Sequence, residues 1–298
     1  MATVLDFLKT LPKAELHVHL EGSFTPDVPD SELAAKWDCC DFASFLESFK
    51  WTVSFLKKPE DYGRAARQLI SALRRQGVQY AEITLSAGVV RWKKLDLEEV
   101  YAAVNREARR APFPVYWIVD CIRQHGGGGA MPVARFAARH AADGVAAFGI
   151  GGDETSVPAE EFRGAVAAAG VPFVPHAGEI SNAENIWEMV RLGARRIGHG
   201  IRAVEDPALC AYLKEHDIPL EISLTSNVRT GAVPSLQAHP LRRLFDAGVP
   251  LVLGTDDPAI FGTTLVDEYL LAAELGFSRA ELTQLAENSL RYGFQRAK

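Results

Sequence analysis

The sequence predicts an α/β fold, a (β/α)8 TIM barrel that forms a single domain over residues 1–298. Three observations predict this fold. Short apolar runs rich in β-branched residues recur along the chain, amphipathic stretches separate most of them, and several stretches end at a glycine. Repeated strand–helix units imply a parallel sheet, and eight units imply a closed barrel. An open doubly wound sheet is the alternative, although no G-x-G-x-x-G fingerprint supports it.

The apolar runs predicted as strands are residues 14–20, 78–85, 114–120, 145–150, 172–176, 195–199, 219–223 and 250–255. The windows predicted as helices from residue 98 onward are 98–110, 133–142, 159–169, 184–192, 207–216 and 240–247. Gly170, Gly193 and Gly248 follow three of these windows, and glycine commonly follows the end of a helix. The glycine run at residues 126–129 is predicted to be a flexible loop with no phosphate-binding role.

A long segment separates the first two predicted strands, and residues 24–76 within it are predicted to be a helical insertion. Its aromatic side chains recur near helical spacing and are Phe42, Phe45, Phe49, Trp51 and Phe55. They can pack against the barrel as ordinary core residues. Alternatively, they can form a lid over an apolar pocket, and both interpretations remain open.

The composition limits the possible partners of the protein. The formal net charge is −6 with no basic patch, which argues against nucleic-acid binding. No run reaches the roughly 18 apolar residues of a membrane span, and residues 1–13 lack the apolar core of a signal peptide. A cytoplasmic protein without a membrane partner is therefore expected. The 4 cysteines include no C-x-x-C pair, which indicates reduced thiols.

The first predicted strand contains the sequence Leu16-His17-Val18-His19. Side chains alternate along a strand, so His17 and His19 project from the same face. Two adjacent imidazoles can bind a metal, but such a pair can also be solvated or buried without any ligand role. A metal needs three or four ligands, so the rest of the chain decides between these interpretations.

Polar residues also stand at the ends of other predicted strands. They are Asp153 and Glu154 after the fourth strand, His176 and Glu179 after the fifth, His199 at the end of the sixth, and Asp256 and Asp257 after the eighth. The carboxyl ends of barrel strands meet at one mouth, where barrel enzymes place their sites. We therefore expect these side chains to converge.

Three imidazoles and one carboxylate can hold one divalent ion, and the candidates are His17, His19, His176 and Asp256. Zinc is the first choice, with iron or cobalt as alternatives. A bound metal would lower the pKa of a water molecule toward neutrality and so favour hydrolysis. Glu179 is then expected to donate a proton to the substrate, and His199 to orient the attacking oxygen.

Four segments resemble signature segments of the adenosine deaminase family, in the same order along the chain. They are residues 12–22 (PKAELHVHLEG), 176–179 (HAGE), 196–200 (RIGHG) and 255–258 (TDDP). The resemblance implies a zinc-dependent (β/α)8 barrel with one zinc ion per chain. It also implies that the substrate is a small purine nucleoside, whose 6-amino group is removed by hydrolysis as ammonia.

The resemblance assigns roles to individual residues. It implies that His17, His19, His176 and Asp256 bind zinc. It further implies that Glu179 protonates the ring nitrogen beside the attacked carbon and that His199 holds the hydroxide. Asp257 would hydrogen-bond the imidazole side of the purine. The backbone N–H of Gly152, or of its neighbour Gly151, would meet the base.

Related enzyme classes are disfavoured by missing residues. Binuclear hydrolases of lactones or phosphotriesters usually bridge two metals with a lysine after the fourth strand, and residues 151–154 (GGDE) contain no lysine. The H-x-E and P-C-x-x-C zinc signature of cytidine deaminases is absent too. A catalytically inactive nucleoside-binding barrel is a further alternative, which would retain the whole polar set without chemistry.

Departures from the family pattern bear on the substrate. At the position of Glu21 many adenosine deaminases have an aspartate that meets the ribose 5′-hydroxyl, so the resemblance implies that Glu21 binds the substrate there. The run at residues 225–228 (TSNV) looks more like deaminases of 5′-modified nucleosides, including aminodeoxyfutalosine deaminases of menaquinone biosynthesis and N6-methyl-AMP deaminases. Arg229 either pairs with a carboxylate or phosphate at the 5′ end or is a surface arginine.

The aromatic residues give a second indication of the substrate, because Trp51, Phe55 and Trp92 can cover an arene attached to the 5′ position. Adenosine and aminodeoxyfutalosine both remain open as substrates. Adenine and N6-substituted AMP are the alternatives.

Overall fold

The structure is a computed structural model, and it describes residues 4–294. Its strands are β1 (Lys13–His19), β2 (Val78–Leu85), β3 (Val115–Ile122), β4 (Val145–Gly151), β5 (Phe173–Ala177), β6 (Ile197–His199), β7 (Leu220–Ile222) and β8 (Leu251–Leu253). Strands that follow one another in the chain are neighbours in the sheet, and each pair is parallel. The predicted (β/α)8 barrel is confirmed.

The barrel closes where β1 meets the end of β8. The amide of His19 donates to the carbonyl of Asp256 at 2.7 Å, and the amide of Asp256 donates to the carbonyl of His17 at 2.8 Å. Val18 and Asp256 form a parallel bridge at the same place. The closing hydrogen bonds therefore hold the backbones of three predicted metal ligands side by side.

The α-helices of the described chain lie between and around these strands. They are α1 (Val4–Thr10), α2 (Asp30–Lys36), α3 (Phe42–Val53), α4 (Pro59–Arg75), α5 (Ala87–Trp92), α6 (Leu97–Ala108), α7 (Gly126–His140), α8 (Arg163–Ala169), α9 (Ala183–Arg191), α10 (Pro207–Glu215), α11 (Leu224–Arg229), α12 (Leu241–Asp246), α13 (Pro258–Phe261), α14 (Leu265–Glu274) and α15 (Arg279–Arg291). Short 3-10 helices occupy Glu21–Ser23, Arg123–His125, Ala141–Asp143, Ala159–Phe162, Ile201–Glu205 and Leu236–Ala238.

Several helices begin at a side chain that accepts from amides of the first turn. Asp96 starts α6, Asn182 starts α9 and Asp206 starts α10 in this way. Such caps satisfy amides that have no partner inside the helix. Each predicted helical window contains a helix, and the caps explain why the helices begin where they do.

The glycine run at residues 126–129 is not a flexible loop, which corrects the prediction. It forms the first turn of α7. A Cβ atom on Gly127 would lie only 2.2 Å from the carbonyl oxygen of Glu161, so the backbone packs closer there than any other residue would allow. The glycines serve close packing between α7 and the segment before α8.

The segment at residues 24–76 contains α2, α3 and α4. The last of these, α4, packs against β2 and α6 and so belongs to the ring of helices around the barrel. Asp41 and Ser44 form a capping box that starts α3. Trp51 and Phe55 pack edge to face with ring centroids 5.0 Å apart. The role of this segment as a lid stays a prediction.

The two faces of the sheet differ in character. The outer faces of the strands and the inner faces of the helices share one apolar core, which includes the fully buried Trp117, Phe148 and Phe162. The inward face carries buried charged residues, among them Glu82 and Arg196. Within residues 4–294, none of the helices is both long and apolar enough to cross a membrane.

Candidate active site

The carboxyl ends of β1, β5 and β8 bring four side chains into one cluster. His17, His19, His176 and Asp256 each offer one ligand atom, and these atoms lie within 4.8 Å of one another. His17 Nε2 and His19 Nε2 are 3.5 Å and 3.4 Å from Asp256 Oδ1. His19 Nε2 is 3.1 Å from His176 Nε2. The structure therefore assembles the whole predicted set of metal ligands.

The cluster fits a divalent metal ion because its nitrogen atoms point inward without ordinary partners. His17 Nε2 is buried and has no hydrogen-bond partner, although buried polar atoms normally have one. His19 Nε2 and His176 Nε2 also lie close together, and the lone pairs of these two ring nitrogens can both bind a cation. Three imidazoles and a carboxylate form a common donor set for zinc.

The Nδ1 atoms of His17 and His176 are held by acceptors outside the cluster. His17 Nδ1 is 2.7 Å from Glu221 Oε2, and His176 Nδ1 is 3.1 Å from the carbonyl of Ile150. Arg196 Nε donates to Glu221 Oε1 at 2.5 Å, and Arg196 Nη2 donates to Glu82 at 2.6 Å. Such partners orient these two rings and leave the Nε2 lone pairs of His17 and His176 facing the cluster.

The electrostatics of the cluster favour a cation. Burial opposes protonation of His17, but the nearby carboxylates of Asp256 and Glu221 outweigh it and raise the pKa of His17 to about 10. Burial lowers the pKa of His19 to about 3 and that of His176 to about 4. The site thus attracts positive charge while two of its imidazoles stay neutral, which is the form that binds a metal.

Glu179 lies beside this cluster. Its Oε1 accepts from the hydroxyl of Thr230 at 3.0 Å, and its Oε2 is 3.5 Å from His199 Nε2. Burial, followed by the charges of Asp256 and Glu154, raises the pKa of Glu179 to about 8. A carboxylic acid with that pKa can donate a proton at neutral pH.

Glu154 is a site residue to which the sequence reasoning assigned no role. Its carboxylate accepts from the amides of Gly178 and Glu179 at 2.9 Å and 3.1 Å, and it also contacts Ser181. It thereby holds the turn that carries Glu179. The acidic residues in the segment 151–154 indicated a polar strand end, but the sequence did not indicate that Glu154 binds the turn before Glu179.

Asp257 faces the same cavity, and its Oδ1 is buried without a hydrogen-bond partner. Burial and the neighbouring Asp256 raise the pKa of Asp257 well above its usual range. A Cβ atom on Gly22 would lie 1.6 Å from Asp257 Oδ1, so only glycine leaves room for this carboxyl group. A buried carboxyl without a partner is suited to hydrogen-bond a ligand.

The cavity above these residues has a volume of about 310 Å³. Gly151 and Gly152 both line it, so the structure leaves open which of the two amides meets a base. Other polar lining residues are Ser86, Asp120, Gln124 and His125. The volume suits a small organic ligand.

Glu21 does not reach the cavity, which differs from its predicted position. Its carboxylate is fully buried and accepts from the amide of Ser86 at 3.1 Å and 3.3 Å. Ser86 and Asp120, rather than Glu21, line the cavity there. The long side chain of Glu21 reaches the amide at the start of α5, on the side of Ser86 that faces away from the cavity.

Arg229 does not line the cavity either, so the structure does not support the interpretation in which it contacts the 5′ end of a substrate. Its Nη2 donates to the carbonyl of Trp37 at 2.6 Å and its Nε to the carbonyl of Cys39 at 3.3 Å. The guanidinium thus ties α11 to the loop before α3.

An apolar mouth surrounds the outer part of the cavity. Its residues come mainly from α3 and α5 and are Phe42, Phe45, Leu46, Phe49, Val53, Val89 and Trp92. Trp92 is 59% exposed, although large apolar side chains are usually buried. Trp51 and Phe55 do not line the mouth, so of the three aromatic residues predicted to cover an arene only Trp92 is placed to do so.

Comparisons with known proteins agree with this geometry. The model of the adenosine deaminase family matches residues 12–298. An aminodeoxyfutalosine deaminase from Streptomyces coelicolor is 36% identical, over 97% of this chain and 81% of that protein. An adenosine deaminase from Serratia proteamaculans is 33% identical, over 95% of this chain and 94% of that protein.

A solved structure of an adenine deaminase from Arthrobacter aurescens superposes with a TM-score of 0.88. It is 28% identical and covers 96% of this chain and 94% of its own. The family match spans nearly the whole chain and includes every residue of the cluster. The chain therefore belongs to the adenosine deaminase family and is a hydrolase of the deaminase type that acts on a C–N bond.

Proposed function

We propose that this protein removes the 6-amino group of an adenosine-type nucleoside with the help of one zinc ion, and that its preferred substrate carries an arene and a carboxylate at the 5′ end, as aminodeoxyfutalosine does. The observation that carries the deaminase assignment is the joint placement of the cluster of ligands, Glu179 and Asp257 around one cavity. The apolar mouth supports the 5′ substituent.

His17, His19, His176 and Asp256 would hold the zinc ion. When bound there, zinc supplies the Lewis acidity that makes water nucleophilic at neutral pH. In the overall reaction the oxygen of water bonds to C6 of the purine and the C6–N bond breaks. The nitrogen then leaves as ammonia, and the product carries an oxygen at C6.

Three side chains of the cavity would act on the purine and the attacking oxygen. Glu179, protonated at neutral pH, gives its proton to the ring nitrogen beside C6 and makes that carbon electrophilic. Asp257, whose pKa is raised by burial and by the neighbouring Asp256, hydrogen-bonds the imidazole side of the base. His199 Nε2, 3.5 Å from Glu179, contacts the oxygen that attacks C6.

The choice of substrate depends on the mouth of the cavity, because the two groups of relatives differ little in identity, at 36% and 33%. Phe42, Phe45, Phe49 and Trp92 offer an apolar surface next to the purine pocket. Lys50 lines the same mouth, and its ammonium group can pair with a carboxylate. These features suit an aryl carboxylate and have no partner on the short 5′-hydroxyl of adenosine.

Adenosine is the second candidate substrate. Ser86 and Asp120 line the cavity and can hydrogen-bond the hydroxyl groups of a ribose. They supply polar contacts that any nucleoside would use, with or without a 5′ substituent.

The test is release of ammonia by zinc-loaded protein offered aminodeoxyfutalosine, adenosine, adenine and N6-methyl-AMP in parallel. We expect kcat/KM for aminodeoxyfutalosine to exceed that for adenosine at least tenfold. A preference for adenosine would overturn the assignment of the mouth while leaving the deaminase intact. No turnover of any of the four compounds, by protein with one zinc per chain, would overturn the proposed activity.

A further inference from the structure

We propose that Asn227 and His239 fix the single proton of His199 on Nε2, the nitrogen that faces the cavity, so that His199 acts on the attacking water as a hydrogen-bond donor and not as a base. This inference rests on the proposed function, since it assigns the role of His199 in that reaction. Asn227 and His239 are then positioning residues, which touch no substrate.

The series of hydrogen bonds begins at a backbone amide, and a backbone N–H group can only donate. The amide of Leu241 donates to His239 Nδ1 at 3.1 Å, so this nitrogen must carry a lone pair. His239 is 5% exposed, and burial lowers its pKa to about 3. The ring is therefore neutral, and its one proton lies on Nε2.

The next hydrogen bond sets the orientation of the Asn227 amide. His239 Nε2 is 3.2 Å from Asn227 Oδ1, and because Nε2 carries the proton it donates to this oxygen. The Nδ2 group of Asn227 consequently points the other way, toward His199 Nδ1 at 3.0 Å. Asn227 is completely buried, so water does not compete for either end of the amide.

An amide NH2 group can only donate, so His199 Nδ1 must accept. A proton on this nitrogen would face the protons of Asn227 Nδ2, which disfavours both the other tautomer and the doubly protonated ring. The proton of neutral His199 therefore lies on Nε2. That atom is 3.5 Å from Glu179 Oε2 and 3.8 Å from Asp256 Oδ2, at the edge of the cavity.

This tautomer determines what His199 can do. A nitrogen that already bears a proton can donate a hydrogen bond to the attacking oxygen and orient it. The same nitrogen cannot accept the proton that the water loses. That proton must pass to an acceptor such as a carboxylate oxygen, and Asp256 Oδ2 lies on the same side of the ring.

The substitution Asn227→Asp tests this series of hydrogen bonds, because it replaces the donating NH2 group by an accepting oxygen in a side chain of nearly the same shape. An aspartate still accepts from His239 Nε2, but it also accepts from His199 Nδ1 and so moves the proton away from the cavity. We expect kcat to fall about 10- to 100-fold, the usual range for partners that orient a site residue, while KM changes less than about threefold.

The tautomer itself can be observed without substrate. Two-bond ¹H–¹⁵N correlation spectra of zinc-loaded protein labelled at histidine distinguish a proton on Nε2 from one on Nδ1. The His199 signals are identified by their absence in His199→Gln. We expect the Nε2 proton in the natural protein and the Nδ1 proton in Asn227→Asp.

A matched control is Asn105→Asp, which makes the same exchange at a buried position outside the site. The amide of Asn105 donates to the carbonyl of Asp143 at 2.8 Å, on the outer side of the barrel. We expect this variant to keep its kcat even if it loses stability. Comparison of the two variants therefore separates the destabilisation caused by a buried carboxylate from the loss of kcat caused by a changed His199 tautomer.

His239 supplies a second pair of variants should Asn227→Asp fail to fold. Glutamine keeps one acceptor for Leu241 and one donor for Asn227, whereas leucine keeps neither. We expect His239→Gln to retain most of kcat and His239→Leu to lose it about tenfold, as an orienting partner should.

Two results would overturn the inference. One is a proton on Nδ1 of His199 in the natural protein, and the other is an exchanged tautomer in Asn227→Asp with unchanged kcat. The spectrum of the natural protein needs no substrate, so the tautomer of His199 is determined independently of activity. Failure of the proposed function would instead appear as absence of turnover.

Discussion

At the scale of single residues, two residues of the site have backbone conformations that residues other than glycine seldom adopt. His199 and Asp256 have φ values of 60° and 61°, in the left-handed region. Such conformations cost on the order of 1–3 kcal/mol and persist only where the surroundings enforce them. Here the amide of Asp256 is bound by the carbonyl of His17, and the amide of Gly200, next to His199, by that of Ala177. Hydrogen bonds between the ends of neighbouring strands thus sustain the strained backbone that aims both side chains into the cavity.

Glu179→Gln is the sharpest test at this scale. Glutamine can still accept from Thr230, so the fold and the metal content should be retained, but no acidic proton remains for the ring nitrogen. We expect kcat to fall by a factor of about 10² to 10⁴, the usual contribution of a general acid, in assays of ammonia release. Glu184→Gln on the exposed side of α9 is the control, and retention of more than a tenth of kcat by Glu179→Gln would contradict the role.

At the scale of elements, the short helix α11 connects the site with the insertion. Ser226 Oγ donates to Asp256 Oδ2 at 2.6 Å, and Asn227 contacts His199. Arg229, at the other end of the helix, binds the carbonyls of Trp37 and Cys39. One helix therefore orients two site residues and anchors the loop before α3, whose aromatic residues line the mouth.

The ammonium group of Lys50 in α3 is expected to recognise the carboxylate of a 5′-modified nucleoside. Its present partner is Glu47 Oε1 at 2.7 Å, and both side chains are more than half exposed, so the pair contributes little to stability. Lys50→Ala should raise KM for aminodeoxyfutalosine about tenfold, the value of one charge-assisted hydrogen bond, and leave KM for adenosine unchanged.

The control for Lys50 is Lys57→Ala, which removes a lysine from the same insertion away from the mouth. Steady-state kinetics on both substrates provide the measurement. An equal rise of KM for both nucleosides in Lys50→Ala would show that the lysine does not distinguish the 5′ group.

Glu268 in α14 links this helix to the start of α11. It is fully buried and accepts from Thr225 Oγ1 at 2.5 Å and from Thr263 Oγ1 at 2.7 Å. Burial nevertheless raises its pKa from 4.5 to about 7. A group whose pKa is raised on folding contributes stability below its unfolded pKa and loses it as pH rises through the folded value.

Glu268→Gln should therefore stabilise the protein at pH 8 by up to about 3 kcal/mol and change it little at pH 4.5, since each pKa unit is worth about 1.4 kcal/mol. Urea unfolding at the two pH values measures this difference. Glu287→Gln, in α15, is the control. The same stability change at both pH values in Glu268→Gln would contradict the assignment.

At the scale of the whole molecule, buried charges run along the inside of the barrel from its base to the site. Arg196 Nη1 donates to the carbonyl of Tyr292 at 2.8 Å, and the ring of Phe294 lies 4.1 Å from its guanidinium. The same guanidinium binds Glu221, which in turn holds His17. The end of the described chain therefore covers the base of the barrel and supports a ligand of the cluster at its mouth.

Zinc would join the ends of β1, β5 and β8, so it should stabilise the entire barrel. At about 100 times the dissociation constant, zinc should add about 2.7 kcal/mol to the free energy of unfolding. For a chain of this size that corresponds to a rise in Tm of about 5 °C, measured by calorimetry on metal-free protein before and after loading. Asp256→Asn should show a smaller rise, and an unchanged Tm in the natural protein would contradict zinc binding.

The sequence by itself determined the barrel and the cluster. Alternation in β1 puts His17 and His19 on one face, and in any parallel barrel the carboxyl ends of the strands share one mouth, so His176 and Asp256 had to approach them. These inferences need only the local period of each strand and the topology, both of which are written in the order of the residues.

Only the tertiary structure decided where the longer polar side chains point. Glu21 turns behind Ser86, Arg229 turns to the loop before α3, and the Asn227 amide is oriented by His239. Each outcome depends on rotamers chosen by partners on other elements, and local periodicity carries no information about them. The physical reason is that strand alternation fixes the face of a side chain, whereas its hydrogen-bond partner depends on the packing of the whole chain.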